Sequence, residues 1–191
     1  MKLSNVLPGD IFGFSGNYSD SALINLVTYG CPWYSVSHVG IMAEVGNDLL
    51  LFESTTGPPG PCFVQKRIVH GTQAQKLDFK IDNYWGKIYH YRLKKPLRKF
   101  ERQALTRFLL HTLGVAYDTV GAFRSGGLAW SWFESKLRKE SRAALFCSEW
   151  VAAALRNIER FDTDNYSKWS PNALMRELGT RDIVLAPERI K

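Results

Sequence analysis

The hydrophobic pattern changes character at Pro96. Before it, apolar residues come in short runs bounded by glycine, proline and asparagine, as strands and turns do. Leu7-Pro8-Gly9-Asp10 reads as a turn leading into the strand Ile11-Phe12-Gly13-Phe14. Ser19-Asp20 is placed to cap a helix from Ser21 to Thr28, which Gly30 and Pro32 would end. The runs His38 to Val45 and Leu49 to Ser54 flank Gly46-Asn47-Asp48 and predict a hairpin. Cys62 to Val69 predicts another strand, and Lys87 to Leu93 alternates like a half-buried one. His70 to Gly86 is ambiguous between the two templates.

After Pro96 the spacing becomes helical. Phe100, Ala104, Leu105, Phe108, Leu109, Thr112 and Leu113 share one face, and Gly114 stops the run. Gly127 to Leu137 is a second helical stretch, rich in aromatics. A third helix is expected to begin at Cys147, with Trp150, Val151, Ala154, Leu155 and Ile158 facing inward. Ser170-Pro171, a capping serine before a proline at the first helical position, starts a last helix that ends near Gly179. Ile183-Val184-Leu185 is expected to return as an edge strand. Antiparallel strands followed by helices predict an α+β fold rather than alternating βαβ units. With no repeat, low-complexity tract or linker, residues 1–191 read as one domain.

Composition narrows the class. At 45% hydrophobic and 23% charged, the 191 residues suit a globular domain with a real core. The net charge of +7 permits an anionic partner, but no basic block interleaved with aromatics resembles a nucleic-acid module, and no nucleic-acid partner is expected. Cys31, Cys62 and Cys147 are too few and too irregular for a disulfide framework, and no C-x-x-C spacing suggests zinc. The amino terminus lacks a secretory apolar core, and no apolar run is long enough to span a bilayer. A cytoplasmic protein with reduced thiols is the expectation.

Chemistry concentrates in two short segments. Phe146-Cys147-Ser148-Glu149-Trp150-Val151 puts a cysteine at the expected head of a helix, where unpaired N–H groups and the dipole favour a thiolate and can bind an oxyanion. A free cysteine that merely packs is the plain alternative. Ser37-His38-Val39-Gly40-Ile41 opens a core strand with a histidine, the usual base for such a nucleophile. His70, His90 and His111 compete for that role, His70 most strongly. Glu53, closing the apolar run Leu49 to Phe52, would reach His38 across the hairpin in one register and turn to water in the other. Glu44 is the weaker rival.

These segments resemble the permuted branch of the NlpC/P60 superfamily of papain-like cysteine hydrolases, in particular the YiiX/YaeF-like amidase group. Leu7-Pro8-Gly9-Asp10-Ile11 resembles its opening strand, Ser37 to Ile41 its histidine motif, and Phe146 to Val151 its nucleophile motif. Gly114-Val115-Ala116-Tyr117-Asp118 resembles the segment before the nucleophile, and Ser170-Pro171 a recurring pair after it. The resemblance implies a papain-like fold with a central antiparallel sheet, and a histidine that precedes the cysteine in the chain. It implies Cys147 as nucleophile, His38 as general base, Glu53 as the third polar residue, Tyr117 as an aromatic lining the site, and Asp118 as a loop-fixing residue. Gly121 to Ala144, with Gly126-Gly127, Trp130 and Trp132, matches no motif of the family.

The implied reaction is acyl transfer through a thioester at Cys147, needing no metal or cofactor. Water as acceptor makes a hydrolase, and an amine or lipid makes a transferase. The family implies amide bonds in peptides, cell-wall-type peptides or lipid-linked acyl groups as substrates. Leu128 to Phe133, followed by Lys136, Arg138 and Lys139, would suit peripheral membrane contact, or an ordinary packed helix with a solvated basic end. A membrane-associated acyltransferase or phospholipase, and a non-catalytic binding module on this fold, are the competing readings.

Overall fold

A computed structural model describes residues 5–16, 36–55, 59–114, 139–163 and 169–191, the side chains of 139–146 excepted. The expected helices Ser21 to Thr28 and Gly127 to Leu137 lie outside the described residues, as do Cys31, Tyr117, Asp118 and Leu128 to Phe133. The strands are β1 (Ile11–Gly16), β2 (His38–Val45), β3 (Asp48–Thr55), β4 (Gly71–Lys76), β5 (Gly86–Tyr91) and β6 (Glu188–Arg189). They form one antiparallel sheet ordered β4-β3-β2-β1-β5-β6. Four helices accompany it among the described residues: α1 (Leu77–Asn83), α2 (Lys99–His111), α3 (Lys139–Asn157) and α4 (Pro171–Thr180). The architecture is the expected α+β.

Strand alternation divides the core into two layers. One sheet face carries Ile11, Val39, Ile41, Leu50, Phe52 and Ala74 against Leu105 and Leu109 of α2, Trp150, Val151, Ala152, Ala154 and Leu155 of α3, and Leu174, Met175 and Leu178 of α4. The other carries Phe12, Phe14, Met42, Leu51 and Ile88 against Leu77 of α1. A fully buried side chain of this kind contributes about 1.5–3 kcal/mol, so the larger layer anchors the helices. At the start of β1, Gly9 adopts φ +92, a conformation open to glycine, and Asp10 closes the turn by accepting from the Leu7 N–H at 2.9 Å. In α4, the Ser170 hydroxyl accepts from the Ala173 N–H at 3.2 Å, the expected cap.

Three expectations are corrected. Cys62 to Val69 is a turn rather than a strand: Lys66 donates back to the Cys62 carbonyl at 2.8 Å and takes φ 56, which no strand accommodates. The strand beside β3 is instead β4, inside the ambiguous stretch, where Gln73 and Gln75 occupy positions on the Phe12 face and break the apolar alternation. Ile183 to Leu185 makes a single bridge, Leu93 to Val184, and the edge strand is β6. Finally, Cys147 does not begin its helix, because α3 starts at Lys139, more than two turns earlier.

Candidate active site

The β2–β3 hairpin sets the first contact. Glu53 lies directly opposite Gly40, so its side chain shares a face with His38, two residues earlier on β2. Gly40 makes the diagonal possible. A Cβ there would stand 2.8 Å from the Phe52 carbonyl oxygen and 3.3 Å from Glu53 Cβ. The carboxylate thus crosses an empty position, and Glu53 Oε2 meets His38 Nε2 at 2.7 Å. Glu53 is wholly buried, which rules out the register that would turn it to water. Glu44 is exposed and pairs with Arg102.

Cys147 arrives from the other direction, on α3. The β2–β3 pairing ends at Gly40 and Glu53, leaving Val39 one residue beyond it. The Val39 N–H donates to Cys147 Sγ at 3.4 Å. A peptide donor interacts more strongly with an anionic sulfur than with a neutral one. Because Cys147 lies inside α3, the N–H groups around it belong to the helical ladder, and the oxyanion site expected at a helix start is not formed there. The sulfur also hydrogen-bonds His38. With Nε2 directed at Glu53, Nδ1 is the ring atom left for the sulfur.

Three residues from separate elements therefore meet in the order Cys147, His38, Glu53. Burial pushes the imidazole down, but the charge and hydrogen bond of Cys147, then those of Glu53, outweigh it and raise His38 to about 9. At neutral pH the imidazole is therefore held in its protonated form beside the Glu53 carboxylate. Burial pushes the Glu53 carboxyl up, yet the Lys80 charge and then His38 hold it well below the usual carboxylate range. Cys147 has no exposed surface and the His38 side chain is 17% exposed, so the imidazole is the solvent-facing edge of the pair.

The rival histidines are elsewhere. His90 is buried against Asp10, with Nε2 2.8 Å from Oδ2, and stacks on Phe12 at 4.8 Å. Asp10 also accepts from the Leu93 N–H at 3.1 Å, so this pair ties β1 to the end of β5. His70 and His111 are exposed, the former just before β4 and the latter at the end of α2.

Sequence reasoning missed three residues around Glu53. Lys80 Nζ lies 2.8 Å from Glu53 Oε1, Gln73 Nε2 donates to the same oxygen at 3.1 Å, and Tyr84 hydrogen-bonds Ser37. Burial, with the nearby Glu53 charge, pushes the Tyr84 phenol up to about 12 despite that bond. One signal was available: Leu77, Lys80, Ile81 and Tyr84 fall on one helical face, which places a lysine in an apolar stripe.

No protein-family model and no curated protein matches the chain. Among solved structures, the chain is similar to the metalloprotein YiiX from Escherichia coli O157:H7, DUF1105, with a TM-score of 0.51 and 20% identity, covering 92% of this chain and 81% of that one. The likeness is one of fold, an α+β, papain-like architecture. Among the described residues, no group of three or more His, Cys, Asp or Glu side chains is arranged to hold a metal ion. No helix among them is long and apolar enough to cross a membrane.

Proposed function

We propose that this chain is a cysteine hydrolase of the permuted NlpC/P60 type, an amidase or peptidase acting on an amide or related acyl bond. The observation that carries the reading is the convergence of Cys147, His38 and Glu53 from α3, β2 and β3 on one hydrogen-bonded line. The histidine-before-cysteine order and the fold likeness to YiiX support it.

In this reading the Cys147 proton already resides on His38, as an imidazolium facing the sulfur, and the anionic sulfur attacks the carbonyl carbon. The Val39 N–H stabilises the anionic sulfur before attack. His38 then gives its proton to the departing nitrogen, the C–N bond breaks, and a thioester remains on Cys147. Water attacks the thioester as His38 takes its proton, the C–S bond breaks, and the carboxylic acid leaves. Glu53 holds the imidazole in orientation and favours its protonated form, as the third member of such a triad does.

The test uses p-nitrophenyl acetate as an activated acyl donor. A p-nitrophenol burst should accompany an acetyl group on Cys147, located by peptide mass spectrometry. His38→Ala should slow the burst by at least about 100-fold, the low end for a lost general base. Acetylation of Cys62 or Cys31 at the rate of Cys147, or a burst untouched by His38→Ala, overturns the reading.

A further inference from the structure

Lys80 is a buried ammonium in the smaller apolar layer. Its residue is 5% exposed, and it sits on a seven-residue helix whose other buried residue is Leu77. Nζ lies 2.8 Å from each Glu53 oxygen, so it straddles the carboxylate. The same nitrogen is 5.2 Å from the Phe14 ring centre and 5.7 Å from that of Tyr84. Phe14 in turn packs on His38 at 5.5 Å. Burying an ammonium and a carboxylate together gains little over apolar residues of the same size. Such a pair is therefore a poor choice for stability alone, and its place behind His38 suggests a different use.

We infer that Lys80 is a positioning residue for the proposed reaction, acting through Glu53: it fixes the carboxylate as an anion with one oxygen aimed at the imidazole, extending the line to Lys80, Glu53, His38 and Cys147. This inference rests on the cysteine-hydrolase reading. Charges alternate along that line when the sulfur is ionised, positive on Lys80 and His38, negative on Glu53 and Cys147. The groups facing Glu53 are His38 from β2, Gln73 from β4, Lys80 from α1, and Tyr84 just after α1, whose phenol stays neutral. Gln73 is neutral and His38 is itself the group to be controlled, so Lys80 is the fixed charge. After burial, it is the largest influence on Glu53. Without it, the carboxyl takes up a proton at higher pH and His38 loses its anionic partner. The imidazolium–thiolate pair then fails earlier on the acid side.

The readout is the rate of Cys147 alkylation by iodoacetamide between pH 4 and 9 on the full chain, with Cys62 as internal reference. In Lys80→Met and Lys80→Gln, the acid limb should move to higher pH by about one unit or more, the usual effect of one close opposite charge. Lys80→Arg should keep the wild-type limb. A purely structural lysine would change stability or amplitude at every pH and leave the limb in place. An acid limb unmoved in whichever neutral variant folds overturns the inference. If both fail to fold while Lys80→Arg folds and shows a displaced limb, it is likewise overturned; a wild-type limb in Lys80→Arg supports a requirement for the charge. His38→Ala separates the two levels. Unchanged alkylation there sinks the hydrolase reading itself, whereas slowed alkylation with an unmoved limb in the Lys80 variants sinks only the role of Lys80.

Discussion

Glu53→Gln tests the electrostatics of the site with almost no change in volume. In the native protein, Glu53 is fully buried and the Lys80 side chain is 7% exposed, so the ion pair is shielded from water. The substitution leaves the ammonium in an apolar layer without a counter-charge. Breaking a buried pair by removing one partner costs about 3–5 kcal/mol. The new amide oxygen can accept from Lys80, which places the expected loss at the lower end, about 3 kcal/mol. In a chain of this size each kcal/mol moves the melting temperature by about 2–4 °C, so a fall of roughly 6–12 °C follows. Urea unfolding followed by circular dichroism at pH 7, together with thermal scans, reads the change. The companion variant is Glu53→Gln combined with Lys80→Met, which removes both charges. It should recover stability relative to Glu53→Gln, with a coupling energy of about 2 kcal/mol in a double-mutant cycle. A single-variant loss below about 1 kcal/mol, or losses that simply add, would refute the claim that these charges are paired out of water.

Two further predictions follow from the same geometry. Gly40→Ala should destabilise by about 1–3 kcal/mol in urea unfolding, because the new Cβ meets the unyielding Phe52 carbonyl oxygen at 2.8 Å as well as Leu51 Cδ1 at 2.9 Å; it should also slow acylation of Cys147, and wild-type stability with wild-type acylation would contradict the crossing of Glu53 over this position. Acid sensitivity has a definite sign: Glu53 is held below its ordinary value of 4.5, so its contribution is complete above about pH 4.5 and is lost as pH falls below it. Urea midpoints measured between pH 7 and 3.5 should therefore fall more steeply in the wild type than in the doubly substituted variant, and parallel curves would contradict the assignment.

The β2–β3 hairpin was legible because both strands are apolar runs around a glycine-asparagine turn, and that pairing alone brings Glu53 within reach of His38. The stretch from His70 to Gly86 was not legible. Its strand carries buried glutamines and its helix a buried lysine, and local periodicity treats such residues as solvent-facing. Gln73 and Lys80 are buried because Glu53 is there to receive them, while Gln75 donates to the Gly60 carbonyl and to Gln73. The start of α3 was also misplaced: the apolar face that opens at Trp150 suggested a helix beginning at Cys147, whereas the chain is helical from Lys139.

By itself the sequence determined the α+β order, the apolar faces that must be covered, and the residue types able to do acyl-transfer chemistry. These are local properties, set by side-chain period, turn residues and intrinsic reactivity. The tertiary structure decided which histidine faces the cysteine, which carboxylate faces that histidine, and that a lysine stands behind the carboxylate. Those choices depend on strand register and on a helix packed across the sheet. Contacts between groups as far apart as Val39 and Cys147, 108 residues in the chain, leave no periodic trace in either segment.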